Sequence, residues 1–275
     1  MPGQFMKIVF LLFLAGIFLF SFSRMQQRMI YYPRGYSYKE LPENIIELQF
    51  RTNAGKQSAF YSPPAENATG SPEKIWLIFG GNATLALDWY DFVKGHPDKR
   101  AGFLLLDYPG YGNCHGKASP KTILQASEKA LETLADKLGL PKETLGQKLH
   151  ILGHSLGAAA ALQFAVLYPV KNLVLVSPFT SMRDMAVLVV GRFFSAMLLH
   201  DFDNRARLRE LAERSTPPAI TIVHGAQDEI IPVSMGRELA RLHPNLITYH
   251  EIDKADHNYI FSIAEGQIYK AMQTD

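Results

Sequence analysis

Cysteine is nearly absent from this chain: Cys114 is the only one in 275 residues. That excludes an internal disulfide and a metal cage built from cysteine thiolates. The adjoining His115 adds a single further ligand, which is too few to hold an ion. A surplus of charge is missing as well. The 28 Lys and Arg stand against 26 Asp and Glu, a formal net charge of +2. They are scattered rather than clustered, so nothing points to a nucleic-acid partner. Internal repeats and low-complexity tracts are also lacking. What the chain does have is apolar content, 47% of residues, the share expected of a protein with a substantial core. Its length suits one large α/β domain or two small ones.

The longest apolar run is IVFLLFLAGIFLFSF, Ile8 to Phe22. It falls slightly short of the roughly 17–25 residues of a spanning helix. Extension through Ser23 and snorkelling of Lys7 and Arg24 would close the gap. The leading expectation is a retained single-pass membrane anchor. A secretory signal, with Ser21 and Ser23 as the small residues before its cut, is the first alternative and would leave a secreted or periplasmic protein. A buried core helix, apolar on every face, is the second. Lys7 before the run and Arg24, Arg28 and Arg34 after it differ too little to set an orientation. Residues 1–30 are read as this anchor or signal segment, and 31–275 as one domain.

From about Glu43 onward, short apolar runs alternate with helical patterns. IIELQF and SAFYS read as an opening pair of strands joined by a turn at NAGK, and Ser62 to Glu73 reads as a loop. IWLIF (Ile75 to Phe79), GFLLLD and LHIL are continuous apolar strands, and Thr122 to Leu138 has helical spacing and stops at Gly139. NLVLVSP, PAITIVHG and LITYHEI add three more strands. Continuous apolar strands joined by helices predict an α/β fold, a mostly parallel, doubly wound sheet covered on both faces. One interval, residues 182–216, breaks the rhythm with AVLVVGRFFSAMLL, Ala186 to Leu199. It reads either as a longer packing helix or as a small helical cap with an apolar underside over the strand ends.

The stretch LHILGHSLGAAAA carries the chemistry. Gly153-His154-Ser155-Leu156-Gly157 fits G-x-S-x-G, with an apolar strand before it and a small-residue helix after it, the context a nucleophile elbow needs. Small neighbours are required because the turn strains the serine backbone. The competing reading is a serine N-cap with glycines for packing. A serine hydroxyl needs a base, and the base needs an orienting carboxylate. Downstream, HGAQDEIIP offers Asp228 and HEIDKADHNY offers His257, both at the ends of predicted parallel strands, where such sheets place their sites. Glu229 should point away from Asp228, and Asp184 is a reserve acid. His243 and His250 suit structural roles, Asp253 and Asp256 loop and helix-cap roles. An oxyanion would need two backbone N–H donors. Leu156, after the serine, is one, and the GGNAT loop offers Asn82 first and Ala83 second. Tyr108 and Tyr111, in DYPGYG, should shape the pocket.

Taken in order, FGGNAT, LLLDYPGYGNCHGKASP, LHILGHSLGAAAAL, VSPFTSM, HGAQDEIIP and ADHNY resemble the α/β-hydrolase superfamily. Within it the chain looks like the Bem46/ABHD13-type serine hydrolases, many of which carry an N-terminal membrane segment. The likeness runs from about Tyr31 to the C-terminus. It implies an α/β-hydrolase fold, a triad of Ser155, Asp228 and His257, oxyanion donors on Asn82 and Leu156, and no metal or organic cofactor. One departure stands out: Gly80 occupies the place where the family commonly has a histidine before Gly-Asn, so the anchoring of that loop should differ. The subgroup includes esterases and protein-depalmitoylating thioesterases. The expectation is therefore a serine hydrolase acting on a small-molecule or lipid-like acyl ester or thioester, with a membrane partner through the N-terminal segment. The rival readings are a serine peptidase or amidase, a perhydrolase and a non-catalytic binding module. Retention of Ser, Asp and His in order argues against the last.

Overall fold

The computed structural model describes residues 9–10, 13, 16, 21–37, 40–65 and 71–273. Eight strands form one sheet: β1 (Ile46–Thr52), β2 (Gly55–Ser62), β3 (Lys74–Phe79), β4 (Ala101–Leu106), β5 (Leu149–His154), β6 (Asn172–Val176), β7 (Ala219–Gly225) and β8 (Ile247–Ile252). Their order is β1-β2-β4-β3-β5-β6-β7-β8. β2 runs antiparallel to both β1 and β4, and every other pairing is parallel. This is the mostly parallel α/β sheet that the continuous apolar strands predict.

The period of two explains why those strands read as unbroken apolar runs. In β3, Ile75, Leu77 and Phe79 join the core on one face, while Trp76 and Ile78 join the core on the other. Helices α3 (Pro120–Leu138) and α5 (Leu156–Ala165) cover the first face. The second is covered by a 3-10 turn (Ala86–Trp89), α2 (Tyr90–Gly95), α9 (Ile260–Ile263) and α10 (Glu265–Met272). α3 starts two residues earlier than its apolar spacing predicts, because Ser119 accepts the Thr122 N–H at 3.1 Å and Pro120 takes the first helical position. It stops at Gly139, which adopts φ 63°.

Helix α1, described over residues 21–30, lies beside α6 (Met182–Ser195). Gln26 donates to the Met197 carbonyl and accepts from the Leu199 N–H, both at 2.8 Å. The stretch Ala186 to Leu199 is neither one long packing helix nor an unbroken one, because Gly191 leaves helical geometry at φ 77°, ψ 167°. Short helices α4 (Lys142–Gly146), α7 (Asn204–Ala212) and α8 (Val233–Leu242) complete the element order. Much of the apolar run Ile8 to Phe22 lies outside the described residues. Among the described residues, no helix is long and apolar enough to cross a membrane.

Candidate active site

The chain leaves β3 for β4 on one side of it and later returns to β5 on the other. At such a reversal a crevice opens beyond the carboxyl ends of the strands. Ser155 stands there, between β5 and α5, with φ 55° and ψ −120°. A left-handed conformation is costly for a residue with a β-carbon, and it persists only where surroundings over-determine it. Here they do. The Ser155 N–H donates to the Val176 carbonyl at 2.9 Å, and its carbonyl accepts from Ala158 at 3.0 Å. Gly153 is required by close approach, since a β-carbon there would sit 2.6 Å from the Gly157 carbonyl oxygen and 2.7 Å from Ala158 Cα. The N-cap alternative is not what the residue does: no helix N–H bonds to the Ser155 side chain.

Ser155 Oγ lies 3.0 Å from His257 Nε2, and His257 Nδ1 lies 2.7 Å from Asp228 Oδ2. A carboxylate only accepts, so Nδ1 carries the proton and Nε2 is left to accept from the serine hydroxyl. All three residues are buried. Two loops bring the acid and the histidine together: Gln227 donates to the Ala255 carbonyl and Ala226 to the Ile252 carbonyl, both at 3.0 Å. Asp228 Oδ1 meanwhile accepts the Ile230 and Ile231 N–H groups at 3.0 and 2.7 Å. Burial opposes ionisation of this carboxyl. Hydrogen bonds from His224, His257 and the Ile231 N–H outweigh it and hold the group well below the usual carboxylate range.

His224 is the residue that sequence reasoning missed. It ends β7, is fully buried, and places Nε2 at 3.3 Å from Asp228 Oδ2 and 3.0 Å from the Ile231 carbonyl. Both neighbours are acceptors, so Nε2 is the protonated nitrogen and braces the same Asp228 oxygen that His257 Nδ1 binds. The signal was the i, i+4 spacing of His224 and Asp228 inside HGAQD. His154, one residue before the serine, packs its ring 5.0 Å from that of His257 and edge-on to Phe261. Burial and the neighbouring His257 push its pKa down to about 3, so it is a neutral packing partner.

In the loop after β3, Ala83 has φ 59° and spends its N–H on Asn82 Oδ1 at 3.1 Å. The Asn82 N–H is thereby the candidate donor from this loop. The Asn82 side chain also accepts from Tyr111 OH at 2.7 Å and Tyr32 N–H at 3.0 Å, and donates to the Ile30 carbonyl at 2.6 Å. Tyr108 donates to the Gly80 carbonyl at 2.6 Å. The two tyrosines therefore hold the loop from behind instead of lining the pocket, and Tyr108 anchors the loop at the glycine. Asp107, at the end of β4, completes the support by accepting from Ala86 N–H at 2.8 Å and Tyr36 OH at 2.7 Å. Burial raises its carboxyl to about 6 despite those bonds.

The other candidates lie apart. Glu229 is exposed. Asp184 lies in the first turn of α6, which Ser181 caps, and binds Thr180, Ser181 and Arg205 at 2.7, 2.7 and 2.6 Å. Asp256 accepts from the N–H groups of Asn258 and Tyr259, Asp253 is exposed, and His250 sits within β8. Cys114 is buried, with its thiol pushed up to about 12 by that burial. Among the described residues no cluster of His, Cys, Asp and Glu is suited to a metal.

Ser155, Leu156 and Asn82 open on a cavity of about 390 Å³. Its walls come from α1 (Met25, Met29), α6 (Met185, Val189) and the loop after β7 (Ile230, Ile231). Among the described residues none of the lining side chains is charged, and only Gln26, Asn82 and Ser155 are polar.

The family model described as Alpha/beta hydrolase family matches residues 77–212, from β3 through α7. The esterase Pf2001 of Pyrococcus furiosus superposes with a TM-score of 0.65 over 88% of this chain and 95% of its own, at 14% identity. A thioesterase domain from the curacin biosynthetic pathway superposes with a TM-score of 0.59 over 83% and 99%, also at 14% identity. The chain has the α/β-hydrolase fold. In sequence it is similar to the uncharacterized protein YfhR of Salmonella typhi, 24% identical over 277 residues, covering 96% of this chain and 92% of that protein. Within the α/β-hydrolase fold, Ser155 lies inside the matched region, and Asp228 and His257 lie beyond it.

Proposed function

We propose that this protein is a serine hydrolase that cleaves carboxylic esters or acyl thioesters bearing an apolar acyl group. The observation that carries the reading is the hydrogen-bonded line Ser155–His257–Asp228 opening on a cavity with no charged side chain among its described walls. Ser155 Oγ attacks the acyl carbon while its proton passes to His257 Nε2. Asp228 keeps Nδ1 protonated and stabilises the imidazolium. The carbonyl oxygen gains charge between the Asn82 and Leu156 N–H groups. As the tetrahedral adduct collapses, the alcohol or thiol departs with the proton from Nε2. Water then attacks the acyl-enzyme by the same route in reverse, with His257 again taking the proton. No step calls on a metal or organic cofactor.

Likeness in fold to an esterase and a thioesterase domain supports the reaction class. The membrane anchor remains part of the proposal. It is favoured over a cleaved signal by the packing of residues 21–30: Phe22 lines the cavity and Ser23 lies 3.3 Å from His200. A cut before Arg24 would remove both.

Labelling with a fluorophosphonate probe tests the nucleophile, with peptide mapping to Ser155 expected. An intact, folded protein that fails to react there would falsify the reading. A panel of p-nitrophenyl esters, acyl thioesters and peptide amides tests the substrate class, and turnover is expected to rise with acyl length. Faster cleavage of an amide than of any ester or thioester would replace the proposed class with a peptidase or amidase.

A further inference from the structure

Helix α6 carries an apolar surface that the described fold leaves uncovered. Leu188, Phe193 and Met197 are 58%, 79% and 42% exposed, and none of them lines the cavity. Gly191 produces this face: its left-handed backbone ends one helical piece and starts another. Beyond it, the Phe193 and Phe194 rings stand edge to face, 5.3 Å apart. Contiguous exposed apolar surface of this kind marks a site that something covers. The surface is continuous with the cavity, because Val189 and Phe194 are exposed and also line it.

The two segments that carry this face, residues 21–30 and 186–199, hold arginines and no acid; Glu229, exposed beside Ile230, lies in the loop after β7 across the cavity. Arg192 is the only ionisable residue from Ala186 to Leu199, and residues 21–30 carry Arg24 and Arg28 but no acid. All three arginines are exposed. The acids at the two ends of the segment are already engaged, Asp184 with Arg205 at 2.6 Å and Asp201 with Arg183 at 3.4 Å. An apolar face rimmed by cations suits a negatively charged lipid surface, with acyl chains below and headgroup phosphates around. A second copy of this chain suits it less, since pairing the faces would bring like charges together.

We propose that this face of α6, with the exposed side of α1, docks on an anionic lipid bilayer. The acyl chain of the substrate then passes from the bilayer into the cavity without crossing water. The docking is a contact of the catalytic domain itself, separate from any anchoring by the run Ile8 to Phe22. The route to the serine rests on the hydrolase reading above.

Polarity-sensitive dye attached at F193C, or in a second variant at L188C, tests the docking on the full chain. The native Cys114 is buried and does not compete for the label. Each labelled protein is mixed with vesicles of phosphatidylcholine alone and of phosphatidylcholine with phosphatidylglycerol. A blue shift and severalfold brightening are expected on the mixed vesicles, weakened by added salt, with no change from a control dye at K129C on α3. Water-like emission at both positions on mixed vesicles overturns the proposal, even where the N-terminal run holds the protein on the vesicle. An equal response on both vesicle types overturns it as well. So does a blue shift without lipid accompanied by a dimer mass in light scattering, which assigns the face to a second copy. The same samples are assayed with a short, soluble p-nitrophenyl ester. Turnover without a dye shift removes the docking alone, and a dye shift without turnover of any ester removes the hydrolase reading alone.

Discussion

The two sides of the cavity are built in opposite ways. On the sheet side, polar groups are buried and paired: Asp228 accepts from two backbone N–H groups and from His257, with His224 braced against it. On the helical side, large apolar groups are exposed, the backbone breaks at Gly191, and the Gln26 side chain bonds the Met197 carbonyl and the Leu199 N–H. A buried, hydrogen-bonded network is stiff because losing a member leaves an unpaired group. A surface with few buried contacts opens at low cost. Under the proposed function the comparison teaches a division of labour: the strand ends would fix the reacting atoms, and the helices would set what reaches them.

Substitutions on the sheet side should be the most severe. Ser155→Ala should cut kcat on a p-nitrophenyl ester by at least about 10⁴-fold, given what loss of a nucleophile costs a triad. Asp228→Asn should cost about 10³–10⁴-fold in kcat, because the amide cannot hold Nδ1 protonated. Near wild-type turnover in either variant would break the comparison at its stronger end. Ala186→Trp, on the helical side, should lower kcat/KM for long acyl chains by about 10–100-fold and spare short ones. A uniform loss across chain lengths would mean the cavity does not hold the acyl group.

His224→Phe sharpens the sheet side. Loss of one hydrogen bond to a charged group predicts a fall of about tenfold in kcat with KM unchanged. A stability loss measured in urea without any change in kcat would make the histidine purely structural. The smallest effect concerns Asp107, whose carboxyl is raised to about 6 by burial. The fold therefore prefers its protonated form. Its contribution to stability is greatest below the unfolded value near ~4, falls as pH rises toward ~6, and is level above. Asp107→Asn should flatten that decline, and urea midpoints compared between about pH 4 and about pH 7 would check it.

Much of the sheet side was legible because its determinants are local. Ile75 to Phe79 is buried on both faces, so its continuous apolar run could only be a central strand. Ser155 announced itself through a strand, two glycines and a small-residue helix. Asp228 and His257 followed from the order in which an acid and a histidine come after the serine, each at a strand end. His224 escaped because a histidine closing an apolar strand reads as core, and its worth depends on a carboxylate four residues later. Tyr108 and Tyr111 read as shaping the pocket, and they do so indirectly, by holding the Gly80–Asn82 loop, a detail residue type does not disclose. The helical side was less legible for a physical reason: an all-apolar run has no polar face, so its hydropathy could not show which residues look inward. The contact of Gln26 with Met197 and Leu199 joins segments more than 170 residues apart, and no local pattern encodes it.

Asn82 gives the architecture a mechanical meaning. Its side-chain amide grips the Ile30 carbonyl, where α1 ends, and the Tyr32 N–H just beyond, while in the proposed mechanism its own main chain offers the N–H to the reacting carbonyl. The entering chain and the donor loop are thus fastened by one rivet. In the proposed mechanism, a pull on residues 21–30 would therefore be delivered through Asn82 to the seat of the oxyanion.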